Sequence, residues 1–168
     1  MIFALLAAAL VFTAPPPQHV IHGDRTAGGI RIAHSTPADV KRLFGAPSTS
    51  KARSAQDCVQ SWRAARLTVT FFTFEPKPCT RGVALIVTVT SRAAWRTALG
   101  LRVGDTSARL RSLYPKARLR RGFAGDSGYW LVTRQVCAEV GGGSYPGLLA
   151  RMRNGRVSAL VARSSVCD

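Results

Sequence analysis

The stretch GLRVGDTSARLRSLYP, residues 100–115, lies in the middle of a 168-residue chain and has the make-up of a beginning. A glycine and an alternating apolar lead-in precede a short helical pattern that Pro115 stops. Within it Leu110, Leu113 and Tyr114 recur at i, i+3 and i+4, the spacing of one buried helical face. An earlier segment, STPADVKRLFG at residues 35–45, carries Val40, Leu43 and Phe44 in the same stripe; Ser35 aligns with Asp105, an offset of 70 residues. Ser35 and Asp105 are the expected N-caps, since each can accept from the free amides of a first turn, and Pro37 suits that turn. Gly45 and Pro115 end the two helices at the same point, and the lead-ins GIRIAHS and GLRVGDT resemble one another.

Strand signals follow each helix. LTVTFFTF (residues 67–74) and GVALIVTVTS (82–91) are rich in β-branched and aromatic residues and are joined by the proline-containing turn EPKPCTR. GYWLVTRQV leads to GLLARMRNGRVSALVARSS, whose Asn154-Gly155 pair is the preferred centre of a two-residue hairpin. Alternation there places Leu148, Ala150 and Met152 on one face and Leu149, Arg151 and Arg153 on the other, so that one face is core and one is wet. The expected fold class is therefore α+β: two tandem units, each a short helix followed by about three antiparallel strands. The expected boundaries are residues 29–95 and 96–168, with residues 15–28 as an extended, mobile, Pro- and Gly-rich spacer and the segment around Trp95 at the seam.

Residues 1–14 are expected to be a signal peptide. The uncharged apolar run from Ile2 to Ala14 is too short for a bilayer, which takes roughly 20 residues, but has the length of a leader's apolar centre. It departs from that pattern in having no Lys or Arg before the run and Pro15 just after Ala14. An exported or cell-envelope protein with no membrane span after processing is the reading that follows. Four cysteines agree with it: Cys58, Cys79, Cys137 and Cys167 lack the close paired spacing of a zinc site, and an oxidising compartment makes two disulfides the economical use of them. Four cysteines permit three pairings; Cys58 with Cys79 and Cys137 with Cys167 is the one that keeps each bridge within a unit.

The formal net charge is +16, and 20 of the 24 basic residues are arginine. Arginine is permanently charged and grips phosphate or carboxylate through two parallel hydrogen bonds, so the surface should attract polyanions in a salt-dependent way. The run KARLRRGF contributes Arg118, Arg120 and Arg121, which with Arg102, Arg109 and Arg111 form a candidate anion-binding patch near the second helix. Base composition of the genome is the competing explanation of so much arginine. Nucleic acid is not the expected partner, because export separates the two and the chain has no aromatic-flanked basic motif of the RNA-binding kind.

Two tandem units of this layout, each with one internal disulfide, resemble the secreted beta-lactamase inhibitor proteins. Each unit alone, with ADVKRLFGAP or SARLRSLYP, resembles the small outer-membrane lipoprotein fold that assists barrel assembly. The likeness covers roughly residues 29–168 in layout. It implies a sheet surface that grips a protein partner through aromatic side chains, for which Trp62, Phe71, Phe72, Phe74, Tyr129, Trp130 and Tyr145 are the candidates. Alternation alone buries about half of them. The strongly basic balance departs from what inhibition of a lactamase would lead one to expect, so that target is not carried over.

Catalytic patterns are thin. Among eight carboxylates only Glu75 and Glu139 are glutamates, and no close pair suggests an acid and a base. His19 and His22 fall in the spacer, and His34 precedes the first cap with nothing to specify a Ser-His-Asp arrangement. GGGSYPG has Pro146 where a nucleophile elbow after Ser144 needs glycine, and no phosphate-loop ending is present. The expectation is a non-enzymatic binding protein without cofactor or metal. Its partner is an extracellular or envelope protein held on the sheet surface or end loops; the alternative is retention at anionic cell-surface polymers through arginines.

Overall fold

The run Leu67-Thr68-Val69-Thr70-Phe71 alternates buried apolar with half-exposed positions, and Val87-Thr88-Val89 does the same. Both are β-branched stretches that fit a pleated surface with one covered face. The computed structural model describes residues 19–92, 94–120, 127–135 and 143–164. Its first strands are β1 (His19–His22), β2 (Thr26–Ala27) and β3 (Ile30–Arg31), followed by helix α1 (Pro37–Phe44). Then come β4 (Thr49–Ala52), β5 (Asp57–Trp62), β6 (Leu67–Phe72), the single-turn α2 (Pro78–Arg81), β7 (Val83–Val89) and β8 (Trp95–Thr97). Helix α3 (Ser107–Leu113) precedes β9 (Arg118–Arg120), β10 (Gly128–Gln135), β11 (Ser144–Arg153) and β12 (Arg156–Arg163).

Eight of these strands form one antiparallel sheet in the order β4-β5-β6-β7-β12-β11-β10-β9. The other four form a small sheet, β3-β2-β1-β8, in which β1 and β8 run parallel. The described residues are mostly β, with 49% strand and 14% helix, and this corrects the expected pair of helix-plus-sheet units. What overturns them is the seam: β7 pairs with β12 from Leu160 opposite Val89 to Arg163 opposite Ile86, so the strands after each helix belong to a single sheet. The physical reason lies in Val83–Val89. An apolar strand at an open edge would offer its unpaired amides and carbonyls to any passing chain, and β12 covers that edge. Residues 19–28, read from sequence as part of a spacer, contribute β1 and β2, and Ile21 is fully buried.

The helices stand where the apolar stripes placed them, with their caps one residue later than expected. Thr36 and Thr106 are the N-caps; their hydroxyls accept from the amides of Asp39 and Arg109. Asp39 returns the bond by accepting from the Thr36 amide at 2.9 Å, a reciprocal capping box. Ser35 and Asp105 instead close the turns before the helices, accepting from the amides of Arg31 and Arg102. At Asn154 and Gly155 φ is 50° and 72°, both positive as the expected hairpin turn requires.

The small sheet, α1 and α3 cover one face of the long sheet. A row crosses that inner face strand by strand, Trp62, Leu67, Val89, Leu160, Ala150 and Tyr129. It packs with Ile21, Ile30 and Trp95 of the small sheet, Val40 of α1 and Leu110 of α3 into a common core. Two indoles anchor the edges of this core: Trp62 donates to the Gly45 carbonyl and Trp95 to the Ala65 carbonyl, each at 2.9 Å. No helix among the described residues is long and apolar enough to cross a membrane.

Candidate functional site

The outer face of the long sheet is read from the same registers. One row runs across all eight strands: Thr49, Ser61, Thr68, Thr88, Val161, Leu149, Trp130, Arg118. The first half is a ladder of hydroxyls, with Ser61 and Thr68 hydrogen-bonded at 3.2 Å. The second half is apolar and then cationic. Trp130, Leu149 and Val161 are buried against one another and against Ile86, which corrects the expectation that Leu149 faces water. A neighbouring row, Lys51, Val59, Thr70, Ile86 and Arg163, ends on a second arginine.

Arginines frame this apolar floor. The Arg120 guanidinium carbon lies 4.8 Å from the centre of the Trp130 ring, a cation–π contact that holds the charge flat over the sheet. Arg163 lies 5.6 Å from the ring of Tyr145. Arg151 shares the face of Leu149 by strand alternation, and its Nε is buried without a hydrogen-bond partner among the described residues. Strands β9 to β12 as described contain no carboxylate of their own. Among the described residues Arg118 makes only long contacts, 3.5 Å, to the carbonyls of Pro115 and Ala117.

The arginines grouped by proximity in the chain are divided by the fold. Arg118 and Arg120 stand exposed on β9 at the outer face. Arg109 and Arg111 belong to α3 on the inner side, where Arg111 donates to the Tyr129 hydroxyl at 3.2 Å. Arg102 lies half-exposed ahead of that helix, bridged to Arg96, and Arg121 lies outside the described residues. Of the two that complete the outer cluster, Arg151 comes from the strand whose alternation put arginines on one face, and Arg163 from its hairpin partner β12.

The expected aromatic contacts are mostly interior. Trp62 and Phe71 belong to the core, and Tyr145 and Trp130 are 6% and 9% exposed. Tyr129 is half-buried under Arg111. Phe72 and Phe74 are the exception: they meet edge to face at 4.9 Å at one end of the sheet, with Phe74 78% exposed. Cys58 and Cys79 are joined, pinning α2 to β5. Cys137 and Cys167 lie outside the described residues.

Other titratable groups serve the fold. The Asp24 carboxyl is held below its ordinary range chiefly by the hydrogen bond from Arg134, against an opposing effect of burial. Asp39 is lowered first by the Thr36 amide. His19, between Phe44 and Trp95, is lowered by burial. His34 is exposed and makes no hydrogen bond to a serine or carboxylate among the described residues, and no cluster of His, Cys, Asp or Glu there has the make-up of a metal site. No protein-family model matches the chain, and no curated protein or solved structure matches it either.

Proposed function

We propose that the protein is an exported, non-catalytic binding protein that holds an anionic polymer on the outer face of its eight-stranded sheet. The observation that carries this reading is the arginine cluster Arg118, Arg120, Arg151 and Arg163 around the buried Trp130 floor, on four strands devoid of carboxylates. Guanidiniums spaced across β9, β11 and β12 present repeated two-pronged donors to a chain of phosphate, sulfate or carboxylate groups. The hydroxyl ladder Thr49, Ser61, Thr68 and Thr88 continues the same row and offers neutral partners to a polyol or sugar backbone. The disulfide and the apolar N-terminal run support export into an oxidising, envelope-facing compartment.

The test is binding of a phosphodiester-linked polyol polymer and of an uncharged dextran to the purified protein at low and high ionic strength. Charged polymer should bind and neutral polymer should not, with affinity falling steeply as salt rises. The triple substitution Arg118→Gln, Arg120→Gln and Arg151→Gln should remove most of it. Equal retention by the triple variant, or by the neutral polymer, defeats the reading. A protein partner keeps one observation in its favour, the Phe72–Phe74 pair with Phe74 exposed. Phe74→Ser would abolish such docking and leave polymer binding intact.

A further inference from the structure

The β2–β3 hairpin, the turn into α1 and the end of β10 enclose a cleft of about 510 Å³ lined by Asp24, Arg25, Arg31, His34 and Arg134. A second hollow of about 290 Å³ adjoins it and shares Arg31 and His34. We propose that this cleft binds a phosphate group, free or as a monoester. The inference does not rest on the outer-face reading.

Charge is the first argument. Three guanidiniums and an imidazole face one carboxylate. Arg134 is committed to Asp24, with its Nη2 donating to Oδ1 at 2.9 Å and its Nε to Oδ2. Arg25, Arg31 and His34 have no side-chain hydrogen bond among the described residues, and all three are exposed to the cleft's solvent. Two guanidiniums and an imidazole offer more N–H groups than the about four lone-pair sites of a carboxylate can take, whereas phosphate spreads its acceptors over more oxygens.

Preorganisation is the second. The Ile32 amide donates to the Arg25 carbonyl at 2.9 Å, and the amides of His34 and Ser35 both donate to the Arg31 carbonyl. The Ser35 hydroxyl then accepts from the Arg31 amide at 2.9 Å. These bonds lock the backbones that carry the three free groups to one another. Between them Ala33 takes a φ of 67°, a left-handed conformation costly for alanine, held by its amide on the Ala84 carbonyl at 2.7 Å. The strain turns the chain so that Arg31 and His34 line the same hollow. On the far wall Gly147 leaves room for the Asp24–Arg134 pair: a β-carbon there would come within 2.9 Å of Asp24 Cβ.

Titration calorimetry at constant ionic strength tests the proposal with inorganic phosphate, glycerol phosphate and acetate on the full chain. One saturable site for at least one of the phosphates, with none for acetate, is the expected result. Arg31→Gln and Arg25→Gln should each weaken it about tenfold or more, as loss of a charged hydrogen bond does, while Arg151→Gln leaves it unchanged. Tighter binding of glycerol phosphate assigns the cleft to a monoester, and tighter binding of inorganic phosphate to the free ion. Absence of saturation, equal binding of acetate, native affinity in both cleft variants, or equal loss in Arg151→Gln overturns it. Should Arg31→Gln fail to fold, Arg25→Gln, outside the Ser35 turn, decides alone.

Discussion

Gly28 and Trp95 are packed so closely that a β-carbon on Gly28 would stand 2.7 Å from Cη2 and 2.9 Å from Cζ3 of the indole. The pair joins β2 to β8 inside the small sheet, with Trp95 fixed by its bond to Ala65 and Gly28 at a φ of 57°. Gly28→Ala must therefore displace a buried ring and hold alanine in the left-handed region. We expect a loss of about 2–3 kcal/mol in unfolding free energy, read by denaturant titration. A change below half of that would mean the ring has room to move.

His19 rests against the rings of Trp95 and Phe44, with centroids at 4.7 and 5.1 Å. Burial disfavours its charged form and lowers its pKa from the ordinary 6.5. A histidine kept neutral by the fold must be charged at a cost in acid, so stability falls as pH drops through 6.5 and levels off below the lowered folded value. His19→Phe keeps an aromatic ring and removes the titration. The melting temperature of the variant should depend less on pH across that window than that of the native protein, and parallel curves would dismiss His19 as the source.

Asp24 shows the opposite sign. Its pKa is lowered from 3.8 mainly by Arg134, so the pair stabilises the fold above that value and the contribution is lost as pH falls through the lower folded value. Arg134 is 44% exposed on its side chain, which limits the pair to about 1 kcal/mol or less. Asp24→Asn should cost that amount at neutral pH and nothing in strong acid, as followed by thermal melts.

The Cys58–Cys79 bridge closes a loop with a sequence separation of 21. Replacing both residues by alanine should cost about 3 kcal/mol, mostly through a freer unfolded chain. The loss should appear in urea melts with α2 and the start of β5 as the first segment to exchange its amides. An unchanged midpoint would assign the bridge no part in stability.

The helices, the β6–β7 strands and the Asn154-Gly155 hairpin were legible because each is written in a local pattern: an i, i+3, i+4 stripe, a two-residue alternation, a turn pair. The joining of β7 to β12 was not, since a strand's own residues record which face is covered and leave its edge partner unmarked. Strands of two to four residues such as β1, β2 and β3 are too short for any period, and so His19 in its aromatic stack passed for spacer. The candidate face was half readable. The charge run marks Arg118 and Arg120, and nearness along the chain joins Arg109 and Arg111 to them, whereas the packing of Leu110 turns α3 inward. The phosphate cleft lies among residues 24–34 with Arg134 from more than a hundred positions away, a distance no local pattern spans.

The terminal strands of the long sheet, β4 and β9, are four and three residues long and exposed throughout. Lys51 lies on one, Arg118 and Arg120 on the other. Two copies meeting rim to rim would bring like charges together along a very short line of hydrogen bonds, which discourages stacking into fibrils. A basic protein concentrated on a polymer would be crowded against its own kind. These guarded borders would let it coat such a surface densely as separate molecules.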